Sequence, residues 1–281
     1  MGPFVDVAWF VERARDENVR IVDTRSKPHG APDPAAPSGV EQYAASHVPG
    51  AVHLDYADEL ADPATPYAFR VAPPERFADV MGAHGIGNET RVVAYDDGDV
   101  PYAARLVWML RYYGHDDAVI LAGGYKAWLA AGGVPTLDVP VFPSRRFVPH
   151  VRPELRANRD EVVAIAEGRS DAQLLETQRN KTYAMRASDI PGSIRLSGND
   201  LLSDADGGRI VPAERLEQLV AARGLERAKR TVVTCGSGVS ASGSFVALQA
   251  AGFTNVAVYD GSWLEWSHDA LPTVAKPSGR T

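Results

Sequence analysis

The chain has 281 residues, 45% of them hydrophobic, with a formal net charge of -7 and one cysteine. That length carries one large domain or two ordinary ones, and the apolar fraction supports a real core, which excludes a disordered chain. One Cys excludes intramolecular disulfides and any multi-Cys zinc or iron–sulfur site, and the acidic balance argues against nucleic acid as the main partner. No apolar run approaches the ~20 residues of a membrane span, so no membrane partner is expected. The opening Met-Gly-Pro-Phe-Val-Asp shows no basic region followed by an apolar stretch. Asp6 stands where a myristoylation site wants Ser or Thr. The expectation is a cytoplasmic α/β protein with one thiol, Cys235.

In chain order, RIVDTR (20–25) reads as a strand and HVPGAVHLD (47–55) as a turn leading to another. PPERFADVMGAHGI (73–86) has helical periodicity, and RVVAYD (91–96) is a short apolar run of the kind found in buried parallel strands. AARLVWMLRYYG (103–114) reads as a helix stopping at Gly114, followed by the strand AVILAGG (118–124) and the Trp-bearing YKAW. The second half repeats this order. QLLETQ (173–178) answers RIVDTR, DIPGSIRLS (189–197) answers HVPGAVHLD, and PAERLEQLVAARGL (212–225) answers the first long helix. RTVVTC (230–235), SGSFVALQAAG (242–252), VAVYDGS (256–262) and WLEW complete the match. The offset is nearly constant from Pro49/Pro191 to Asp96/Cys235 and larger at Asp23/Glu176. The long loop after Asp23 is therefore shortened in the second half.

Between the halves lie Pro135, Pro140, Pro143, Pro149 and Pro153, expected to run extended over the surface. Two domains are expected, 1–135 and 154–281, joined by a Pro-rich linker, 136–153. Alternating strands and helices in each imply a mainly parallel sheet with helices on both faces, and active sites there lie at the carboxyl ends of strands.

Cys235 sits at such an end. It closes TVVTC and opens GSGVSASG before a helix. Successive N–H groups of a tight loop at a helix start favour an anion, so a thiolate there is expected to be stabilised and its pKa to fall. Gly236 and Gly238 let the backbone curl, and small Ser237, Ser240 and Ala241 leave room above the sulfur. A lone Cys is more often a buried inert side chain, but the strand–Cys–Gly-rich loop–helix context points to a nucleophile. GSGVSA also fits the G-x-G-x-x-A of a dinucleotide site, with Asp260 about 20 residues on. Too little chain follows Asp260 for a nucleotide-binding half. A cysteine phosphatase loop wants Arg six residues after the Cys, where Ala241 stands.

CGSGVSA (235–241), YDGSWLEW (259–266), SHVPGAVHLD (46–55) and the paired halves resemble the two-domain rhodanese-type sulfurtransferases over nearly the whole chain. The second half is most similar to the 3-mercaptopyruvate sulfurtransferases. The resemblance implies an α/β fold of two tandem rhodanese-like domains, each a mainly parallel sheet flanked by helices. The first is silent, because Asp96 takes the Cys position. It further implies sulfur transfer without a cofactor or metal. Cys235 would form a persulfide, Ser237 would hydrogen-bond at the substrate or in a proton relay, and the loop residues Gly236, Gly238, Val239 and Ser240 would bind substrate. The implied partners are a small-molecule sulfur donor and a thiol or cyanide acceptor, and nothing indicates a protein partner.

Gly236 and Ser237 are neutral where thiosulfate-type relatives often place Arg or Lys, which favours mercaptopyruvate as donor. The chain departs from the family at the donor's basic ligands. ETQRNKTY (176–183) places Gln178 and Thr182 where relatives have Arg, so Arg186, Arg179 and Lys181 become candidate carboxylate ligands. Asp189 replaces the usual His before IPG. PYAF (66–69) puts Phe69 where a first-domain His is expected, and Ala57 stands near the Asp position beside Asp58, so a Ser–His–Asp relay is not claimed. His29, His47, His53, His84, His115, His150 and His268 form no zinc-binding spacing. His47 is expected to organise the VPG turn, Trp263 and Trp266 to pack, and Asp260 to cap or orient the loop. Asp23 and Arg25 are expected to form a structural ion pair. Two other functions fit: thiosulfate sulfur transfer, and a non-catalytic rhodanese-like protein that binds a partner or senses oxidants through Cys235.

Overall fold

The structure is a computed structural model that describes residues 2–27, 35–98, 102–203 and 209–276. The chain divides into two compact units. The first comprises Met1–Ala64, Val71–Arg152 and Ser203–Arg209, and the second Thr65–Arg70, Pro153–Leu202 and Ile210–Thr281.

In the first unit, apolar alternation gives way to short runs buried on both faces, as parallel strands require. These are β1 (Phe4–Val5), β2 (Val19–Asp23), β3 (Ala51–His53), β4 (Arg91–Tyr95) and β5 (Ala118–Leu121). They form one sheet in the order β1-β5-β4-β2-β3, all neighbours parallel. The helices are α1 (Val7–Arg13), α2 (Gly39–Ala45), α3 (Pro74–Ala83), α4 (Tyr102–Tyr112) and α5 (Gly124–Ala130). Asp6 caps α1 by accepting the Trp9 N–H, and Ser38 and Glu41 form a capping box on α2.

The second unit repeats the sheet. Its strands β6 (Arg156–Ala157), β7 (Gln173–Glu176), β9 (Ile194–Arg195), β12 (Thr231–Thr234) and β13 (Val256–Tyr259) run in the order β6-β13-β12-β7-β9, again parallel. β8 (Ser188–Asp189) pairs antiparallel with β14 (Val274–Ala275), and β10 (Leu202–Ser203) with β11 (Arg209–Ile210) makes another two-stranded sheet. The helices are α6 (Arg159–Ala166), α7 (Asn180–Tyr183), α8 (Gly198–Leu201), α9 (Ala213–Ala222), α10 (Val239–Ala250) and α11 (Ser262–His268). On one face of the sheet Val162, Ile165, Leu174, Val232, Ala257, Tyr259 and Trp266 form a core. Each fully buried Val or Leu in it contributes about 1.5–3 kcal/mol. α10 is buried from Ala241 to Leu248, which explains its lack of a polar face.

Both units thus carry the α/β architecture expected from the sequence, a mainly parallel sheet flanked by helices, with the short strands β1 and β6 added at one edge of each sheet. The chain from 137 to 152 has no helix or strand. It does not run loose. Arg145 N–H donates to Gly82 O, His150 N–H to Tyr113 O and Arg152 N–H to Tyr112 O, and Phe147 is buried. The His47 ring is buried beside the VPG turn, stacks on Tyr43 at 3.8 Å, and has its ring nitrogens 2.8 Å from the Tyr43 carbonyl oxygen and 3.1 Å from that of Asp138. No helix among the described residues is long and apolar enough to cross a membrane.

Candidate active site

Cys235 follows β12 at the carboxyl end of the second sheet, with β13 and β7 on either side. Gly238 is the N-cap of α10 with a φ of 81°, a conformation that disfavours a side chain. That turn aims the Gly238 N–H at Cys235 Sγ, 3.1 Å away. The backbone N–H groups of Ala241 and Ser237 also favour the thiolate. The loop is therefore the N–H cradle expected from its sequence. Ser237 and Ser240 are half-exposed at its rim, while Val239 is buried.

One expectation is overturned. The thiol pKa does not fall. Burial pushes the Cys235 thiol up, and the nearby Glu176 carboxylate adds to this, against the three N–H donors. Cys235 is only 2% exposed. Desolvation of a charged sulfur outweighs local dipoles until a ligand or loop movement changes its surroundings.

α11 holds the loop from behind. Trp263 N–H donates to Cys235 O and Leu264 N–H to Gly236 O, both at 3.0 Å. Cys235 N–H donates to Ser262 Oγ at 3.2 Å, and the Ser262 hydroxyl donates to Tyr259 O at 2.8 Å. Ser262 has a φ of 50°. The equivalent residue of the first unit is Gly124, at φ 55°. A serine in that region costs about 1–3 kcal/mol of strain, which its two hydrogen bonds offset. Asp260 directly precedes this turn of α11. Its carboxylate is fully buried and lies 3.3 Å from Arg156 Nη2 and 3.9 Å from Arg70 Nε.

On the β7 side, Gln178 lies against the loop. A Cβ built on Gly236 would meet its Nε2 at 3.3 Å. Glu176 ends β7, fully buried, and accepts Arg186 Nη1 on Oε2 and the Gln178 N–H on Oε1 (2.7 Å). Arg186 also donates to Gln178 Oε1 (2.9 Å) and Asp189 Oδ1 (3.0 Å), and its guanidinium lies 4.0 Å over the Trp263 ring. Its Nε has no hydrogen-bond partner among the described residues. Burial raises the Glu176 pKa despite Arg186. Arg186 is thus brought to the site, but its charge is engaged by two carboxylates. Arg179 is half-exposed before α7, its stem 3.8 Å from where a Cβ of Gly198 would stand, and Lys181 is exposed. Sequence reasoning missed Glu176 and Ser262; Trp263 packs against the core as expected, and its backbone N–H also holds the loop. Both positions were signalled by the repeat, at Asp23/Glu176 and Gly124/Ser262.

The first unit shows what the same loop does without a cysteine. Asp96 follows β4, and its own carboxylate fills the cradle. Oδ1 accepts the Gly98 N–H at 2.7 Å and Oδ2 the Ala103 N–H at 2.9 Å. The Tyr125 N–H donates to Asp96 O at 2.7 Å, the counterpart of Trp263 on Cys235. Asp23 and Arg25 form the expected buried ion pair, at 2.7 Å. Burial pushes the Asp96 carboxyl up to about 6 from 3.8. A raised acid favours the folded state fully below the unfolded pKa, and that contribution is lost as pH rises through the folded one. The shift corresponds to about 3 kcal/mol. Urea unfolding is therefore expected to show stability falling between pH 4 and 6, with a shallower fall in Asp96→Asn; an equal fall in both proteins would refute the assignment.

Residues 6–131 and 155–269 each match the Rhodanese-like domain. The chain belongs to the two-domain rhodanese-type sulfurtransferases. The 3-mercaptopyruvate sulfurtransferase of Escherichia coli (strain K12) is 28% identical to this sulfurtransferase over 271 residues, covering 94% of each chain. The thiosulfate sulfurtransferase of Bos taurus is 30% identical over 292 residues, covering 98% of this chain and 95% of the relative. Among solved structures, the 3-mercaptopyruvate sulfotransferase SseA from Escherichia coli superposes with a TM-score of 0.84 at 27% identity, covering 94% of this chain and 99% of that one. Among the described residues of the sulfurtransferase, no group of three or more His, Cys, Asp or Glu side chains is placed to hold a metal ion; His29 lies outside them.

Proposed function

We propose that this sulfurtransferase takes the sulfur of 3-mercaptopyruvate onto Cys235, holds it there as a sulfane sulfur and passes it to a thiol or cyanide. The observation that carries this reading is the Gly238 N–H on the Cys235 sulfur at the start of α10, beside a neutral loop and a neutral Gln178. The Cys235 thiolate attacks the donor sulfur, and an S–S bond forms as the donor C–S bond breaks. The electron pair leaves as the enolate of pyruvate, which takes the donor thiol's proton. The persulfide anion that remains is stabilised by the loop N–H groups. An acceptor thiolate or cyanide then attacks the outer sulfur, and Cys235 returns as a thiolate.

Gly236, Gly238, Val239 and Ser240 form the wall the donor meets, and Ser237 at the rim offers a hydroxyl to its ketone or carboxylate. Arg186 stands behind Gln178 and orients the amide that faces Gly236. Arg179, next to Gln178 and half-exposed, is the cation assigned to the donor carboxylate. Thiosulfate is a dianion and gains less from a neutral wall. The ratio of kcat/KM for the two donors is expected to favour 3-mercaptopyruvate by about tenfold or more. A preference for thiosulfate would instead select the thiosulfate reading. The buried, raised thiol favours a second reading: a rhodanese-like protein that binds or senses without transfer. Absence of sulfur uptake from either donor, followed by intact mass, would select it.

A further inference from the structure

The segment Thr65–Arg70 lies early in the chain yet belongs to the second unit. It is fastened at both ends. Tyr67 OH donates to Asp269 Oδ1 at 2.6 Å, and its ring meets His268 edge-on at 5.2 Å. Asp269 also accepts Arg159 Nη1 at 2.8 Å. At the other end Arg70 Nη1 donates to Glu265 Oε2 at 2.9 Å, and Arg70 Nε lies 3.9 Å from Asp260 Oδ2. Between them Phe69 is buried with a φ of 68°, a conformation a bulky side chain adopts only where its surroundings enforce it.

Arg70 therefore brackets the first turn of α11. Asp260 precedes that turn and Glu265 lies within it. Gly261 is caught between: a Cβ there would come within 2.0 Å of Glu265 Oε2 and 2.5 Å of Arg70 Nη1. The same turn carries Ser262, Trp263 and Leu264, which hold the backbone of Cys235 and Gly236. A chain of direct contacts thus runs from Arg70 through Glu265 and the α11 turn to the nucleophile.

We infer that Arg70 is a positioning residue for the sulfur-transfer step, setting the Cys235 loop through the first turn of α11 without touching substrate. This rests on the proposed role of Cys235. Its removal frees α11 to shift, misaligning the cradle and uncovering the sulfur. Two readouts then move in opposite directions. In Arg70→Gln, kcat is expected to fall about tenfold with the donor KM within about twofold, since loop displacement costs rate more than binding. Alkylation of Cys235 by iodoacetamide is expected to quicken by about tenfold, because local opening exposes the thiol. Cys235 is the sole cysteine, so the alkylation rate reports it alone. Arg70→Lys, which keeps the charge but not the fork, should recover part of both changes.

Tyr67→Phe loosens the opposite end of the segment and leaves the ion pairs in place. It should move both readouts the same way by about twofold, and it decides the matter if Arg70→Gln fails to fold. Unchanged kcat and alkylation in these variants would overturn the inference. So would a raised KM with unchanged kcat, which would make Arg70 a substrate contact. If the parent protein takes up no sulfur, the proposed function fails; the alkylation rates still decide whether Arg70 controls the loop.

Discussion

Cys235→Ser is expected to lose sulfur transfer by roughly 10³-fold or more with either donor. Intact mass should show one added sulfur atom on the parent and none on the variant. The hydroxyl is nearly isosteric, so the cradle and the fold should persist. Its oxygen is a far weaker nucleophile at neutral pH and cannot hold a sulfane sulfur. The pH profile provides an independent check. Burial and Glu176 raise the Cys235 thiol, so the thiolate fraction of the unliganded protein grows as pH rises past the ordinary cysteine range. The expected kcat/KM therefore climbs from pH 7 toward pH 9. A profile flat over that interval would mean that a thiolate is already present, as the loop sequence alone suggested.

Arg186→Ala is expected to destabilise the second unit by about 3–5 kcal/mol, the cost of leaving buried charge unpaired. Two carboxylates depend on this guanidinium, Glu176 and Asp189, with side chains 1% and 10% exposed. Glu176 can escape by taking up a proton, which its raised pKa already favours. The loss should therefore be larger at pH 8 than at pH 5. Combining Arg186→Ala with Glu176→Gln should recover part of it, and the double-mutant cycle isolates the pair. Urea midpoints measure all of these changes. A loss below about 1 kcal/mol would place Arg186 among ordinary surface pairs.

The repeat made most of the architecture legible. RVVAYD and RTVVTC stand at equivalent strand ends, so the silent Asp96 and the candidate Cys235 could be placed before any coordinates. The strands β1 and β6 escaped because two residues are too short for a periodicity signal. The sign of the Cys235 shift escaped for a different reason. N–H donors of a loop are local and readable, whereas burial is set by chain that folds over the loop from elsewhere. The ion pair at the site was hidden by an exchange between the units. The first unit keeps Asp23 and Arg25 two residues apart. In the second, Gln178 takes the Arg25 position and the guanidinium returns from Arg186, beyond α7. A missing arginine at one position and a present one at another are therefore a single observation. Likewise the placement of Thr65–Arg70 depends on its partners Asp260, Glu265 and Asp269, all distant in sequence.

The filled cradle of the first unit has one more consequence. Asp96 is a ligand attached to its own receptor. Tethering gives its carboxylate an effective concentration of millimolar or far more at the Gly98 and Ala103 N–H groups. No dissolved anion at ordinary levels competes with it, and dilution never releases it. The duplicated scaffold thus holds two versions of one strand-end loop, one whose N–H groups are taken up by its own Asp96 side chain, the other turned toward the sulfur of Cys235.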